Sequence, residues 1–247
     1  VACHTIYPSV LVRKIAFVCF GRPLLSDKVR NHVYWWAWSH LRRLPGGSAI
    51  IDIGSRDSFF PSFIAWRGYS VRVVERDGRF IGLQRTNSLR WGVDLEIDNS
   101  DFSAASISLP CDAICSLFSL QHAGDRDSEA YSRAARLLRP GGLLLAAMEY
   151  CHDAMRFEYG RDDGTMRIYD DCAIAERVTA PLVAEGMVES DRRYCTVMKN
   201  GKAYDAGRNI PTATMVMVLF RKCDKGQTAG TFGRSRDVAR NVSATIY

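Results

Sequence analysis

Two acidic residues 23 positions apart frame the chemistry this sequence can do. Asp52 sits near the end of the apolar run Ala49-Ile50-Ile51-Asp52-Ile53, with Gly54 directly after it, and Glu75 closes the run Val71-Arg72-Val73-Val74. If both runs are strands, a carboxylate at the end of the second can accept hydrogen bonds from both hydroxyls of a ribose. A glycine directly after the first lets the backbone approach a ligand closely. The residues that follow, Gly54-Ser55-Arg56-Asp57-Ser58-Phe59, lack the second and third glycines that a pyrophosphate-bearing cofactor asks for. Nicotinamide and flavin dinucleotides are therefore disfavoured. A metal centre is disfavoured too. The eight cysteines include no C-x-x-C pair, and the one close pair, Cys111 and Cys115, has no second pair near it. The thiols read as reduced core residues of a cytoplasmic protein.

The elements that would position these residues alternate between two hydrophobic periods. Helices are expected over 27–44, 59–68, 78–91, 128–138 and 174–184, and strands over 49–53, 71–74, 93–97, 113–120 and 143–148. Pro45-Gly46-Gly47 and Pro140-Gly141-Gly142 punctuate the pattern. Strands alternating with helices of this length imply βαβ units in a parallel sheet, whose ligands bind beyond the carboxyl ends of the strands. After Tyr150 the order changes. Met187–Tyr194 and Thr214–Phe220 form two strands with no helix between them, an antiparallel pair that closes the sheet. The fold class expected is therefore α/β, a doubly wound, Rossmann-like, seven-stranded sheet with a closing antiparallel hairpin and an N-terminal helical extension. Its divisions are the extension at 1–44, the ligand-binding domain at 45–222 and a mobile basic tail at 223–247. In the first helix Trp35 falls among polar residues, which suits a contact with residues 1–26, a substrate lid or a peripheral membrane anchor.

Composition narrows the class. With 247 residues and 47% apolar content the chain can bury a sizeable core, which excludes disordered and fibrous proteins. The longest apolar run near the start, Ile15–Phe20, is too short to span a bilayer. The net charge of +6 is unevenly placed. Residues 1–48 carry seven basic and one acidic side chain and 221–247 six and two, whereas 49–220 carry 20 basic and 24 acidic. A mildly acidic centre argues against nucleic acid in the working groove.

In their order and spacing, IIDIGSRDSFF, VRVVERD, CDAICSLFSLQHAG and LLRPGGLLLAAMEY resemble the motifs of class I S-adenosylmethionine-dependent methyltransferases, most closely bacterial enzymes that modify small molecules or glycans. The resemblance covers about residues 45–150, and the closing hairpin matches more loosely. It implies S-adenosylmethionine as cofactor. Asp52 and Gly54 would line its methionine end with Ser55 and Arg56 in the same loop, and Ser116 would border that end. Glu75 would hold the ribose and Arg76 would lie beside the adenine. Asp98 would meet the adenine amino group, with Asp101 and Glu96 close behind.

A sulfonium methyl is already activated, so the protein must hold a nucleophile in line with it and, for a hydroxyl, remove a proton. His122, two residues beyond the expected fourth strand, suits that base role because histidine titrates near neutrality. Glu149 and Tyr150, at the end of the fifth strand, could orient a substrate hydroxyl. Arg167-Ile168-Tyr169-Asp170 resembles an R-x-Y-D element that either borders the substrate or anchors a loop. The stretch Ser116-Leu117-Phe118-Ser119 lacks the Asp/Asn-Pro-Pro-Tyr/Phe of amino-methylation on DNA bases. The cysteines lie wrongly for cytosine C5 chemistry, and the absence of lysine between Lys28 and Lys199 excludes a ribose-methylating Lys-Asp-Lys-Glu set. Methyl transfer to a small molecule or glycan follows, with oxygen slightly ahead as acceptor. The alternatives are a noncatalytic Rossmann-like module and a methyltransferase acting on RNA or protein.

Overall fold

A computed structural model describes residues 28–107, 110–151, 158–161, 164–199, 202–203, 214–223 and 244–246. Its elements follow the alternation of the sequence. They are α1 (Lys28–Leu41), β1 (Ala49–Ile53), α2 (Phe60–Trp66), β2 (Ser70–Val74), α3 (Gly78–Trp91), β3 (Glu96–Asp98) and β4 (Cys111–Leu117). Two 3-10 turns, Leu120–His122 and Gly124–Arg126, lead into α4 (Asp127–Leu137) and β5 (Leu138–Tyr150). A small hairpin of β6 (Glu158–Arg161) and β7 (Gly164–Arg167) precedes α5 (Asp171–Ile174), a π-helical turn (Ala175–Thr179) and α6 (Ala180–Ala184). The strands β8 (Met187–Lys199), β9 (Lys202–Ala203), β10 (Thr214–Lys222) and β11 (Ala244–Ile246) complete the chain.

The main sheet runs β11-β8-β10-β5-β4-β1-β2-β3, with β9 paired to β8. Strands β3, β2, β1, β4 and β5 are parallel, and β10 lies antiparallel to both β5 and β8. This is the expected seven-stranded sheet with its closing antiparallel pair, lengthened at the edge by β9 and β11. The strand order reverses between β1 and β4, so a crevice opens where their carboxyl ends diverge.

Both sheet faces are covered, which is why the central strands read as continuous apolar runs. One face buries Ile51, Ile53, Ile114, Leu144, Ala146 and Val218 against α4 and the α5–α6 segment. The other buries Ile50, Val73, Ala113, Leu145 and Met217 against α1, α2 and α3, in a layer rich in aromatic rings. Within it Trp38 meets Phe63 edge-on and Phe59 stacks on Trp91. Trp35 is partly buried against this layer; residues 1–26, its expected contact, lie outside the described residues.

Several elements differ from expectation in bounds or regularity, β5 among them, which starts at Leu138 and takes in Pro140-Gly141-Gly142, and three of the differences have a clear local reason. β3 starts at Glu96 because Gly92 ends α3 in the left-handed region (φ 64°) and Val93 N–H is still bonded to Ser88 O. β4 stops at Leu117 because Phe118 turns the chain at φ 65°. The last helix carries a π turn just before Pro181, whose missing N–H cannot complete the regular ladder. The tail was expected to be mobile from residue 223, but Ala244–Ile246 pairs with β8; residues 224–243 and 247 lie outside the described residues.

Candidate active site

The loops after β1, β2, β3 and β4 converge on a cavity of about 780 Å³ at the switch point. Its floor is the turn at Gly54, where φ is 66° and an added Cβ would collide with the Ser119 hydroxyl. Glycine is required there because the Ser119 loop presses against it. The close approach at Gly54 is thus to the Ser119 side chain, where the sequence pointed to a ligand.

Glu75 forms one wall and is only 3% exposed. Its Oε2 accepts from the Arg56 N–H at 2.8 Å and its Oε1 from the Asp77 N–H at 3.0 Å. A carboxylate has about four acceptor positions, so each oxygen retains one for a ligand hydroxyl. Arg56 holds a left-handed backbone (φ 49°), a conformation that costs a residue with Cβ about 1–2 kcal/mol. The surrounding bonds enforce it. Besides the Arg56 N–H bond to Glu75, Arg56 O accepts from Gln84 Nε2 at 2.7 Å, and the guanidinium lies 5.0 Å from the Phe80 ring centroid. Gln84 is fully buried on α3 and also donates to Ser58 O at 2.9 Å. From the other side, α1 braces the same loop: Arg30 pairs with Asp57 at 2.9 Å, and Tyr34 stacks on Phe60 with centroids 4.8 Å apart.

Of the site residues expected from sequence, Gly54, Arg56, Glu75, Arg76 and His122 line this cavity, and so does Asp101. The others do not. Asp52 is buried behind the floor, where its Oδ2 accepts from Ser55 Oγ at 2.5 Å, which occupies both residues. Burial raises the Asp52 carboxyl to about 7, with the Glu75 charge adding to the shift and the Ser55 bond opposing it. Asp98 accepts from Ser100 Oγ at 2.7 Å, so the acid facing the cavity is Asp101, three residues on. Ser116 is buried and its Oγ accepts from the Leu120 N–H at 3.1 Å, stabilising the turn that carries His122. Glu149 N–H donates to Gln121 Oε1 at 2.9 Å. Tyr150 is buried, donates its hydroxyl to Asp171 Oδ2 at 3.0 Å and meets Tyr194 edge-on. Neither Glu149 nor Tyr150 lines the cavity, because the end of β5 is absorbed by these contacts. The R-x-Y-D element anchors a loop: Arg167 and Tyr169 converge on Asp127, and Asp170 caps α5 through Ala173 N–H.

The lining residues that the sequence did not single out include Phe80, Phe118, Ser119 and Arg126. Phe118 and Arg56 are the two non-glycine residues with positive φ among the described residues, and both face the cavity. Backbone of this kind gathers at functional sites. Among the described residues no cluster of His, Cys, Asp or Glu could hold a metal ion, and no helix is long and apolar enough to cross a membrane.

Residues 51–146 match the family model described as a methyltransferase domain. A comparison with curated protein sequences finds no match. Among solved structures, an S-adenosylmethionine-dependent methyltransferase of Methanosarcina mazei is similar at a TM-score of 0.60 with 15% identity, covering 75% of this chain and 97% of that one. The 1,6-didemethyltoxoflavin-N1-methyltransferase of Burkholderia thailandensis, solved with its substrate and S-adenosylhomocysteine, gives 0.61 with 16% identity over 87% and 85%. The N-methyltransferase NodS of Bradyrhizobium japonicum, also with S-adenosylhomocysteine, gives 0.55 with 17% identity over 80% and 87%. The cavity falls in the size range of small-molecule sites, and the buried Glu75 carboxylate keeps acceptor capacity for a ribose diol.

Proposed function

We propose that this protein transfers a methyl group from S-adenosylmethionine to a small molecule, with the Glu75 carboxylate receiving the ribose hydroxyls in the switch-point cavity. The observation that carries this reading is the position of Glu75. It is a buried carboxylate at the end of β2, lining a cavity that the Gly54 loop also lines. When bound, S-adenosylmethionine supplies a methyl group already activated on sulfur. The chain's own residues do the rest. The Gly54–Arg56 loop borders the amino-acid end, Arg76 flanks the adenine, and Asp101 takes the place assigned in sequence to Asp98. His122 is half-buried on the 3-10 turn, lines the cavity and has its N–H fixed to Ser119 O at 2.9 Å. From there its imidazole accepts a proton from an acceptor hydroxyl. A nitrogen acceptor is the second reading, supported by the similarity to the 1,6-didemethyltoxoflavin-N1-methyltransferase and to NodS, both N-methyltransferases. A glycan acceptor rests on the motif resemblance alone.

Isothermal titration with S-adenosylhomocysteine tests the proposal. The protein should bind it, and Glu75→Ala should lose about 1.5–3 kcal/mol through hydrogen bonds to a charged group. No heat from the unaltered protein would favour a noncatalytic module. Unchanged affinity in the variant would remove Glu75 from the site.

A further inference from the structure

The charge of the cavity exceeds what its cofactor would ask for. Among the described residues six arginines line it, against Glu75, Asp77, Asp101 and Glu129. Residues 49–220 as a whole carry 20 basic and 24 acidic side chains, so positive charge is gathered here in an acidic domain. S-adenosylmethionine bears a sulfonium and an ammonium against one carboxylate and is itself positive. An arginine excess therefore serves another occupant.

Two of these arginines stand on the flank of α4, away from the loops given to the cofactor. The crossover from β3 to β4 runs over the same sheet face as α4, and its residues 99–107 form no helix. That flank is left as cavity wall. Arg126 lies just before α4 and Arg133 two turns on, about 10 Å along the axis, with the small Ala130 between them. Arg126 is exposed and acts electrostatically on Asp101. Arg133 is half-buried: it donates to Ala105 O, and its guanidinium lies 5.4 Å from the Phe102 ring centroid. Both partners are neutral. Its Nε is buried with no acceptor among the described residues. A covered guanidinium with neutral contacts and an orphaned N–H favours an anion beside it. Arg136, further along the helix, already pairs with Glu185 at 2.5 Å.

We infer that Arg126 and Arg133 hold an oxyanion of the methyl acceptor, a carboxylate or a phosphate, so that the acceptor is an acidic small molecule. The inference rests on the function proposed above and names its substrate class. A guanidinium offers its N–H groups in a planar fork that matches either oxyanion, and the Phe102 ring limits the rotamer freedom that Arg133 must lose on binding. His122 lies four residues before Arg126 and lines the same cavity. An acceptor anchored on α4 and reaching along that wall comes to the imidazole that takes its proton. A negative acceptor and a positive cofactor also attract each other across the cavity.

The test titrates the protein, saturated with S-adenosylhomocysteine, with three probes: benzoate, its neutral analogue benzamide, and inorganic phosphate. Benzoate or phosphate should bind at least tenfold more tightly than benzamide, and the tighter of the two tells a carboxylate acceptor from a phosphorylated one. Arg126→Gln and Arg133→Gln should each weaken that anion at least fivefold, and Arg133→Lys should weaken it less than Arg133→Gln. S-adenosylhomocysteine affinity should change less than twofold in all three variants. Arg126 is exposed, so its variant decides the matter even if Arg133→Gln fails to fold. Equal binding of anions and benzamide would overturn the inference, as would an anion preference that survives Arg126→Gln. A loss of S-adenosylhomocysteine affinity equal to the loss of anion affinity would return the arginines to the cofactor and also overturn it. An unaltered protein that fails to bind S-adenosylhomocysteine would instead bring down the proposed function, and the acceptor with it.

Discussion

At the scale of single residues, the site is governed by which carboxylates are exposed to the cavity and which are sealed behind it. Glu75 faces in, and Asp52 is sealed with Ser55. That burial has a consequence for stability. With the folded Asp52 carboxyl raised to about 7 from an ordinary value of 3.8, the native state holds a proton that the unfolded state has lost. The stabilisation from the neutral carboxyl is fully present below about pH 4 and disappears as pH rises towards 7, at up to about 1.4 kcal/mol per pH unit. Asp52→Asn keeps a neutral group in place. Denaturation midpoints measured from pH 4 to 7 should therefore show the wild-type protein losing ground steadily to the variant. Parallel curves would mean that Asp52 is ionised in the fold. Residue-level legibility was uneven for physical reasons. Glu75 could be read because an acid closing an apolar run has few other uses. Arg56 could not be given its backbone conformation, because arginine disfavours positive φ unless neighbours such as Gln84 enforce it.

At the scale of elements, the turn bearing His122 depends on an anchor some distance from the cavity. Asp127 opens α4 with no exposed surface. Its carboxylate accepts from Arg177 at 2.6 Å and from the Tyr169 hydroxyl at 2.8 Å, and it forms an ion pair with Arg167 at 3.2 Å. One carboxylate thus ties α4 to β7 and to the segment leading through the π turn. Removing it would take the buried anionic partner from two largely covered guanidinium groups, leaving each its contact to the exposed Asp125. Asp127→Ala should cost about 3–5 kcal/mol in urea unfolding, and Asp127→Asn less, since the amide oxygen can still accept from Tyr169. A loss below 1 kcal/mol in Asp127→Ala would show the network to be dispensable. The sequence singled out Arg167 and Tyr169 and weighed substrate contact against anchoring. It could not decide between them, because their partner lies about 40 positions earlier. Orientation at strand ends failed for a related reason. A shift of one residue turns a side chain to the opposite face, and Ser116 and Tyr150 both lie where a strand gives way to a turn.

At the scale of the whole molecule, the architecture was legible almost throughout, because continuous apolar runs and their spacing dictate a parallel sheet covered on both faces. The pairing of β10 with β5 and β8 followed from the missing helix between the last two long strands. Additions at the edge, β9 and β11, carry little pattern and were not foreseen. The sheet's reversal between β1 and β4 brings three distant loops, around residues 54, 75 and 119, to one crevice. The central claim is that these loops jointly receive the adenosyl cofactor. Amide hydrogen exchange with and without saturating S-adenosylhomocysteine measures this directly. Protection should rise together over 54–56, 75–80 and 118–123, with β8 and β10 unchanged. A pattern that leaves those three stretches unaffected, or that protects only one of them, would contradict the account.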